Sequence, residues 1–497
     1  MDGLSHLGAA LAALAGPWQI AYALGATLAG IVIGLLPGLS ATLGVALFTT
    51  LTLKMQPADA ILVLVCVYVG AIYGGSRTAI LLNIPGTAAN AAACLDGNML
   101  ARQGQAGRAM GIATTGSVAG SLFGVVCLAM FTPLLAETAL KFGAYEFFWL
   151  GMVGVMMSGS LTGANPVKGW LMGLLGIFVA TIGLDPIHAH PRFTFGSNEI
   201  SGGIGLIPAL VGAFGFAEIL TVMSQPRLKS ALNSVDSVLP KIMDLLRYWR
   251  TIIRSGLIGV FVGILPGVGE DMAAWSSYAA AKRASKEREK FGKGSVDGLI
   301  AAETGDNAAI PGALIPALAL GIPGSAPAAV LMAAMIIHGA QPGPMLMVNQ
   351  PQFVYDVVGI TLLATLAILV FGLVLVRPIL WVLKVPREII MPIVFVLCVL
   401  GSYSITQRLF DVWVMLGVGI ACFWLRRRGF PVAPFVLGLV LGDIVDKSLR
   451  RGLVLSDGSL LPFFTRPISA ALAALVLVML LMQFPAIRNR FGRRSPA

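Results

Sequence analysis

Apolar runs long enough to cross a bilayer recur from one end of this 497-residue chain to the other. A hydrocarbon core of about 30 Å takes roughly 17–25 residues of helix. Windows close to that length include Ile112–Leu135, Val167–Leu184, Ile204–Met223, Val357–Val376, Ile389–Ser404, Val412–Leu425 and Ala470–Met482. In lipid every backbone N–H and C=O must find its partner inside the protein, which leaves helices and closed barrels. Continuous apolar runs without two-residue alternation are helical. Only 11% of residues are charged, against about 25% in soluble domains. The chain reads as an all-α polytopic membrane protein of about 11 to 13 membrane-embedded elements, with no soluble domain left over.

Net charge is +11, yet nucleic acid is not the partner this implies. The basic residues sit in short loops and in the tail "RNRFGRRS", where the positive-inside rule puts them. The start, "MDGLSHLGAALAALAG", has no basic n-region, so a cleaved leader is not expected. The five cysteines lie in apolar segments without metal-ligand spacing and read as small core residues. No GxxxxGK[ST] loop, HExxH or GxSxG is present. An enzyme or a directly ATP-driven pump is not expected.

Four of these helices are broken in a recurring way. "GLLPGLSATLG" from Gly34 and "GILPGVGEDMAAW" from Gly263 carry an LPG; "LLNIPGTAANAAA" from Leu81 and "LALGIPGSAPAAV" from Leu318 carry an IPG. LPG then IPG occurs twice in the same order, 48 residues apart (Pro37 to Pro85) and 57 apart (Pro266 to Pro323). The second LPG lies between two basic stretches, "KIMDLLRYWRTIIRSG" and "AKRASKEREKFGKG". Only about 27 residues separate them, where two crossings need about 40. A re-entrant hairpin solves this, with arms of about 13 residues reaching ~20 Å.

The expected organisation is an N-terminal segment (1–17), repeat 1 (18–224, hairpin at Pro37, helix break at Pro85), a basic cytoplasmic linker (225–251), repeat 2 (252–485, hairpin at Pro266, break at Pro323) and a basic cytoplasmic tail (486–497). Loop charge favours two pseudo-symmetric repeats of inverted orientation. Interrupted helices at matching places in two halves mark the midplane site of a transporter. Their amide ends favour anions and their carbonyls favour cations. The candidate substrate-binding residues are therefore Pro37, Gly38, Ser40, Thr42, Asn83, Pro85, Gly86, Thr87, Pro266, Gly267, Gly269, Pro323, Gly324 and Ser325.

Ionisable residues inside membrane segments are functional candidates. Glu270 and Asp271 follow the second LPG; Glu303, Asp306 and Asn307 lie ahead of the second IPG. These five form the expected cation or proton site, and Arg77 is the basic residue placed to pair a carboxylate. The spaced histidines His188 and His190 lack a third ligand and read as part of a structured extramembrane loop.

At this point the chain resembles a known family. "GILPGVGEDMAAW" through "GIPGSAPAAVLMAAMIIHGAQPGPML", "GLLPGLSATLG", "YGGSRTAILLNIPGTAANAAACLDGNMLARQGQAGRAMG" and "RFTFG" are similar to the large membrane subunit of tripartite tricarboxylate transporters, the TctA family. The likeness runs from about Gly25 to Pro485, nearly the whole chain. It implies a bacterial inner-membrane secondary transporter for carboxylates. The expected coupling ion is Na⁺, with H⁺ as the alternative, and no cofactor is expected. The implied partners are a small four-helix membrane subunit and a periplasmic solute-binding protein. Two departures stand out. The family's Pro-Glu-Ser-x-Asn-Asn-Ala run reads Ala302-Glu303-Thr304-Gly305-Asp306-Asn307-Ala308 here, and Glu270-Asp271 replace small uncharged residues. The rival readings are an ion or solute channel and a transporter of the same family for a non-tricarboxylate solute.

Overall fold

The computed structural model describes residues 2–36, 38–161, 165–185, 189–224, 247–374 and 385–481. Pro37, His188, most of the 225–251 linker and the 486–497 tail lie outside the described residues. The regular structure described is helical, apart from a two-stranded antiparallel pair, β1 (Gly183–Leu184) with β2 (Pro191–Arg192). Among the described residues seven helices are long and apolar enough to cross a membrane, and five shorter apolar helices accompany them.

The chain divides into two compact units, Met1–Glu137 with Ile207–Phe423, and Thr138–Leu206 with Trp424–Ala497. The chain thus leaves the first unit at Glu137, returns to it at Ile207 and leaves it again after Phe423.

The first unit is built around two helices, α4 (Pro57–Leu82) and α12 (Val296–Leu320). Every residue of Ala60–Leu81 and of Gly298–Ala319 is buried, as expected for a helix apolar on all sides. Before α4 come α1 (Asp2–Leu14), α2 (Pro17–Leu35) and α3 (Ala41–Leu51); after it come α5 (Ala91–Leu100) and α6 (Ala106–Ala139). The first half closes with α9 (Leu206–Ser224), and the second half supplies α10 (Trp249–Ile264), α11 (Gly269–Ala284), α13 (Ala326–Ile337), α14 (Pro351–Val374), α15 (Arg387–Thr406) and α16 (Leu409–Arg427). The arms α10 and α11 fold back along each other and both pack on α12. In the first half α2 packs on α4, whereas α3 touches α2 only slightly.

Glycine sets how closely these helices approach. On α6, a Cβ on Gly120 would stand 2.9 Å from Thr304 Cα, and one on Gly124 would stand 2.8 Å from the Ala308 carbonyl oxygen. The face of α6 carrying Leu122, Val126, Met130 and Leu134 is exposed and apolar, the side for lipid. One glycine stripe thus seats α6 on α12 while the other face stays in hydrocarbon.

The second unit contains α7 (Ala144–Leu161), α8 (Pro166–Ala180), α17 (Val432–Leu455) and α18 (Pro467–Leu481). Its charges are spent on one another. Arg450 reaches Asp185 at 2.5 Å and Asp446 at 3.1 Å, and Arg192 reaches Asp446 at 3.0 Å. This linked set ties the β-strand loop to α17, so the charged run "DKSLRR" serves packing.

A side chain at Gly120 must push two backbones apart. Gly120→Leu is expected to lower the thermal unfolding midpoint of the detergent-purified protein, with an overpacking cost of about 1–3 kcal/mol. Gly25→Ala, where an added Cβ meets nothing within 4 Å, should leave the midpoint unchanged or raise it. Equal effects of the two would count against the close crossing.

Candidate functional site

The two IPG breaks make the same contacts. The Gly86 amide donates to the Gly75 carbonyl at 3.3 Å, and the Gly324 amide donates to the Ala313 carbonyl at 3.3 Å, each reaching 11 residues back. A Cβ on Gly86 would run into the Gly34 carbonyl, and one on Gly324 into the Gly263 carbonyl. Gly34 and Gly263 stand at the same place before their LPG prolines. In each half, then, the post-α4 or post-α12 break is pressed against the end of the arm that leads into the LPG.

The second LPG requires glycine. Gly267 has φ +71° and Gly269 φ +69°, left-handed conformations that side chains rarely adopt. The turn at Gly269 lets its amide donate to the Gly324 carbonyl at 3.1 Å, which joins the two breaks of this half directly. Ser325 Oγ accepts from the Ala328 amide at 3.3 Å and so caps α13.

Each break is also bonded to the central helix of the other half. Ser325 Oγ lies 2.8 Å from the Tyr68 hydroxyl of α4, and that hydroxyl donates to Glu270. Asn90, just past the first IPG break, donates to Asp306 Oδ2 of α12 at 3.2 Å. Tyr68 and Asp306 each stand 17 residues before the IPG proline of their own half. Tyr68 and Asp306, at matching positions, thus each share a hydrogen bond with the break of the other half, through different residue types.

Around Asp306 the bonds form a continuous buried set. Asn90 Nδ2 also donates to Ser76 Oγ at 2.9 Å and to the Ile72 carbonyl at 3.0 Å, and its Oδ1 accepts from Thr87 Oγ1 at 2.6 Å. Glu303 Oε2 accepts from Ser76 and from Ser117 of α6, both at 2.8 Å. The glycine stripe of α6 brings Ser117 this close. Asn307 Nδ2 donates to Asp306 Oδ1 at 2.6 Å and back to the Glu303 carbonyl at 3.0 Å.

Two oxygens in this set have no partner among the described residues, Glu303 Oε1 and Asn307 Oδ1. A third acceptor is left open by the sequence. Pro311 has no N–H, so the Asn307 carbonyl loses its usual i+4 donor. Glu303, Asp306 and Asn307 are at most 1% exposed, and buried oxygens left in this state need a donor or a cation.

Arg77 is fully buried on the same helix as Ser76. Its Nη1 donates to the Met110 carbonyl at 2.7 Å, and its guanidinium lies 4.2 Å over the Tyr73 ring, whose hydroxyl is 2.9 Å from Thr114. Its Nε and Nη2 have no partner among the described residues. Glu303 lies within electrostatic reach of this charge, without a direct ion pair between them.

The remaining expected residues fall around this centre. Gly38 has φ +94°. Ser40 caps α3 by accepting from the Leu43 amide at 3.2 Å, and Thr42 is buried beside it. Among the described residues no hydrogen bond joins Ser40 or Thr42 to the set above. Pro85, Pro266 and Pro323 are the break prolines. Asn83 is exposed and ends α4 in the left-handed conformation, φ +57°. Asp271 is exposed, one position round the helix from buried Glu270.

Sequence reasoning did not single out Tyr68, Ser76, Ser117 or Asp96, and Asn90 reads from sequence only as one of the small residues that follow the first IPG. Asp96 Oδ1 accepts from the amides of Gly292, Gly294 and Ser295 at 2.7–2.9 Å, and Oδ2 from the Tyr278 hydroxyl at 2.9 Å. It anchors the loop that starts α12. Its signal was available, a lone acid in the apolar run "CLDGNML". Asp96→Ala is expected to destabilise the purified protein by about 2–3 kcal/mol, read as a lower unfolding midpoint, with Asp96→Asn intermediate. An unchanged midpoint in the alanine variant would remove the anchoring role.

Comparison with known proteins adds identity. Over 494 residues, 99% of this chain and 98% of the relative, the sequence is 35% identical to an uncharacterised 52.8 kDa protein in the TAR-I ttuC' 3' region of Agrobacterium vitis. A second Agrobacterium vitis relative, an uncharacterised protein in the TAR-II ttuC' 3' region, is 35% identical over 235 residues, 47% of this chain and 96% of that protein. No solved structure matches. The model of the tripartite tricarboxylate transporter TctA family matches residues 20–437. This multi-pass membrane chain therefore belongs to the tripartite tricarboxylate transporter TctA family.

Proposed function

We propose that this protein is the large membrane subunit of a secondary transporter that imports carboxylates of the tricarboxylate type across a bacterial inner membrane. Import is driven by a cation, Na⁺ in the first instance. A periplasmic binding protein delivers the solute, and a small four-helix membrane subunit completes the complex. The two halves act as inverted repeats whose LPG and IPG breaks frame one site.

The observation that carries this reading is the pair of unpartnered buried oxygens, Glu303 Oε1 and Asn307 Oδ1, beside Asp306. Oxygen donors of this kind suit a hard cation. Broken helices pressed together beside them supply backbone close to the solute. The expected substrate-binding amides are partly committed, because Gly86, Gly269 and Gly324 already donate within the fold. Solute binding at these amides therefore requires the breaks to move, which is what a carrier does and a static pore does not.

The test is uptake of labelled di- and tricarboxylates into proteoliposomes carrying this chain and its small-subunit partner, with an inward Na⁺ gradient and with the binding protein added or omitted. Saturable uptake requiring both gradient and binding protein is expected. Uptake indifferent to Na⁺ would remove the Na⁺ assignment, and uptake of no carboxylate would remove the substrate class. Gly267→Val and Gly324→Val are expected to abolish uptake while the protein still inserts in the membrane. Full uptake by either variant would contradict the placement of the site at the breaks.

A further inference from the structure

Arg77 is a charge with an open edge. Nη1 is held by Met110 and the plane by Tyr73, while Nε and Nη2 are both buried and unpartnered. Those two nitrogens form the side of the guanidinium that grips a carboxylate with two parallel bonds. Glu303 shows the converse, a buried carboxylate with Oε2 held by Ser76 and Ser117 and Oε1 unpartnered. Arg77 is held by Met110 and by Tyr73, whose hydroxyl meets Thr114, and Glu303 is held by Ser117; Met110, Thr114 and Ser117 of α6 lie at i, i+4 and i+7, on one face of that helix. A buried guanidinium and a buried carboxylate within electrostatic reach would ordinarily close on each other. Here they stand apart, each presenting what the other lacks.

We infer that Arg77 and Glu303 form a two-state coupling pair. Closed on each other, they satisfy their own charges and leave no place for ligand. Opened, Glu303 with Asn307 takes a monovalent hard cation, and the Nε–Nη2 edge of Arg77 takes a carboxylate of the transported solute. Either ligand alone strands one buried charge, so each binds weakly without the other and tightly with it. In the ligand-free return step the ion pair keeps the buried charge balanced. The inference rests on the transport reading for the carboxylate and on the geometry alone for the cation. The cation arm can therefore be tested without knowing the solute.

Binding of radiolabelled Na⁺ to the purified protein decides the first arm. Arg77→Met removes the internal competitor for Glu303 and is expected to tighten Na⁺ binding by about ten-fold or more. Glu303→Gln, nearly the same shape, is expected to lose it. Unchanged or weaker Na⁺ binding in Arg77→Met overturns the pair. The second arm is solute exchange in proteoliposomes carrying the whole complex, where wild-type exchange should require Na⁺ on both sides. With Glu303→Gln, Arg77 stays open, so exchange should persist without Na⁺ while gradient-driven accumulation disappears. Exchange that still depends on Na⁺, or that falls to background at every Na⁺ concentration, also overturns the pair. Failure of wild-type transport alone would count against the substrate class and leave the Na⁺ result standing.

Discussion

Buried charge in a low-dielectric interior sets the terms for the rest of this molecule. Glu270, Glu303 and Asp306 are at most 3% exposed and Arg77 is fully buried, in a chain with only 11% charged residues. Isolated, each would be expensive. The surrounding hydroxyls and amides answer that cost for Glu270, through Tyr68, and for Asp306, through Asn90 and Asn307. For Glu303 and Arg77 the answer is incomplete, and the chemistry of the site follows from that incompleteness.

The geometry that assembles these groups is a matter of close backbone approach. Glycines at the ends of α2 and α10 let the IPG breaks press against them, and a glycine stripe on α6 carries Ser117 to Glu303. The crossed bonds, Asn90 to Asp306 and Ser325 to Tyr68, then knit the two halves at matching positions. The halves are not equivalent in detail. The arms around the second LPG pack along each other, while those around the first are looser. The acids belong to the second half and the basic residue to the first. Glu303, Asp306 and Asn307 lie on α12 and Arg77 on α4, so the buried acids and the buried base come from different halves of the sequence.

Much of this was legible in the sequence. LPG and IPG read as breaks because proline and glycine interrupt an apolar helix, and their order is the basis for expecting two repeats. Glu303, Asp306 and Arg77 stood out because charge inside a membrane segment needs a reason. What could not be read was the partner of each. Ser76, Asn90 and Ser117 look like ordinary small or polar packing residues, and only the crossing of α4, α6 and α12 turns them toward Glu303 and Asp306. Adjacency in sequence is not adjacency in space: Asp271 follows Glu270, but 100° of helical rotation puts it on the exposed side. Asn83 ends α4 in the left-handed conformation. Asp96 carries the same signal as the other acids, a charge within an apolar run. The two compact units cross the sequence halves, which no local pattern announces.

The central claim is that Glu303 and Asn307 hold a cation between the two halves. The most direct measurement is a crystal structure with a heavy monovalent cation in place of Na⁺, read by its anomalous scattering. The account predicts a peak within coordination distance of Glu303 Oε1 and Asn307 Oδ1 that vanishes in Glu303→Gln. A cation located elsewhere in the chain, or one that survives that substitution, would contradict it.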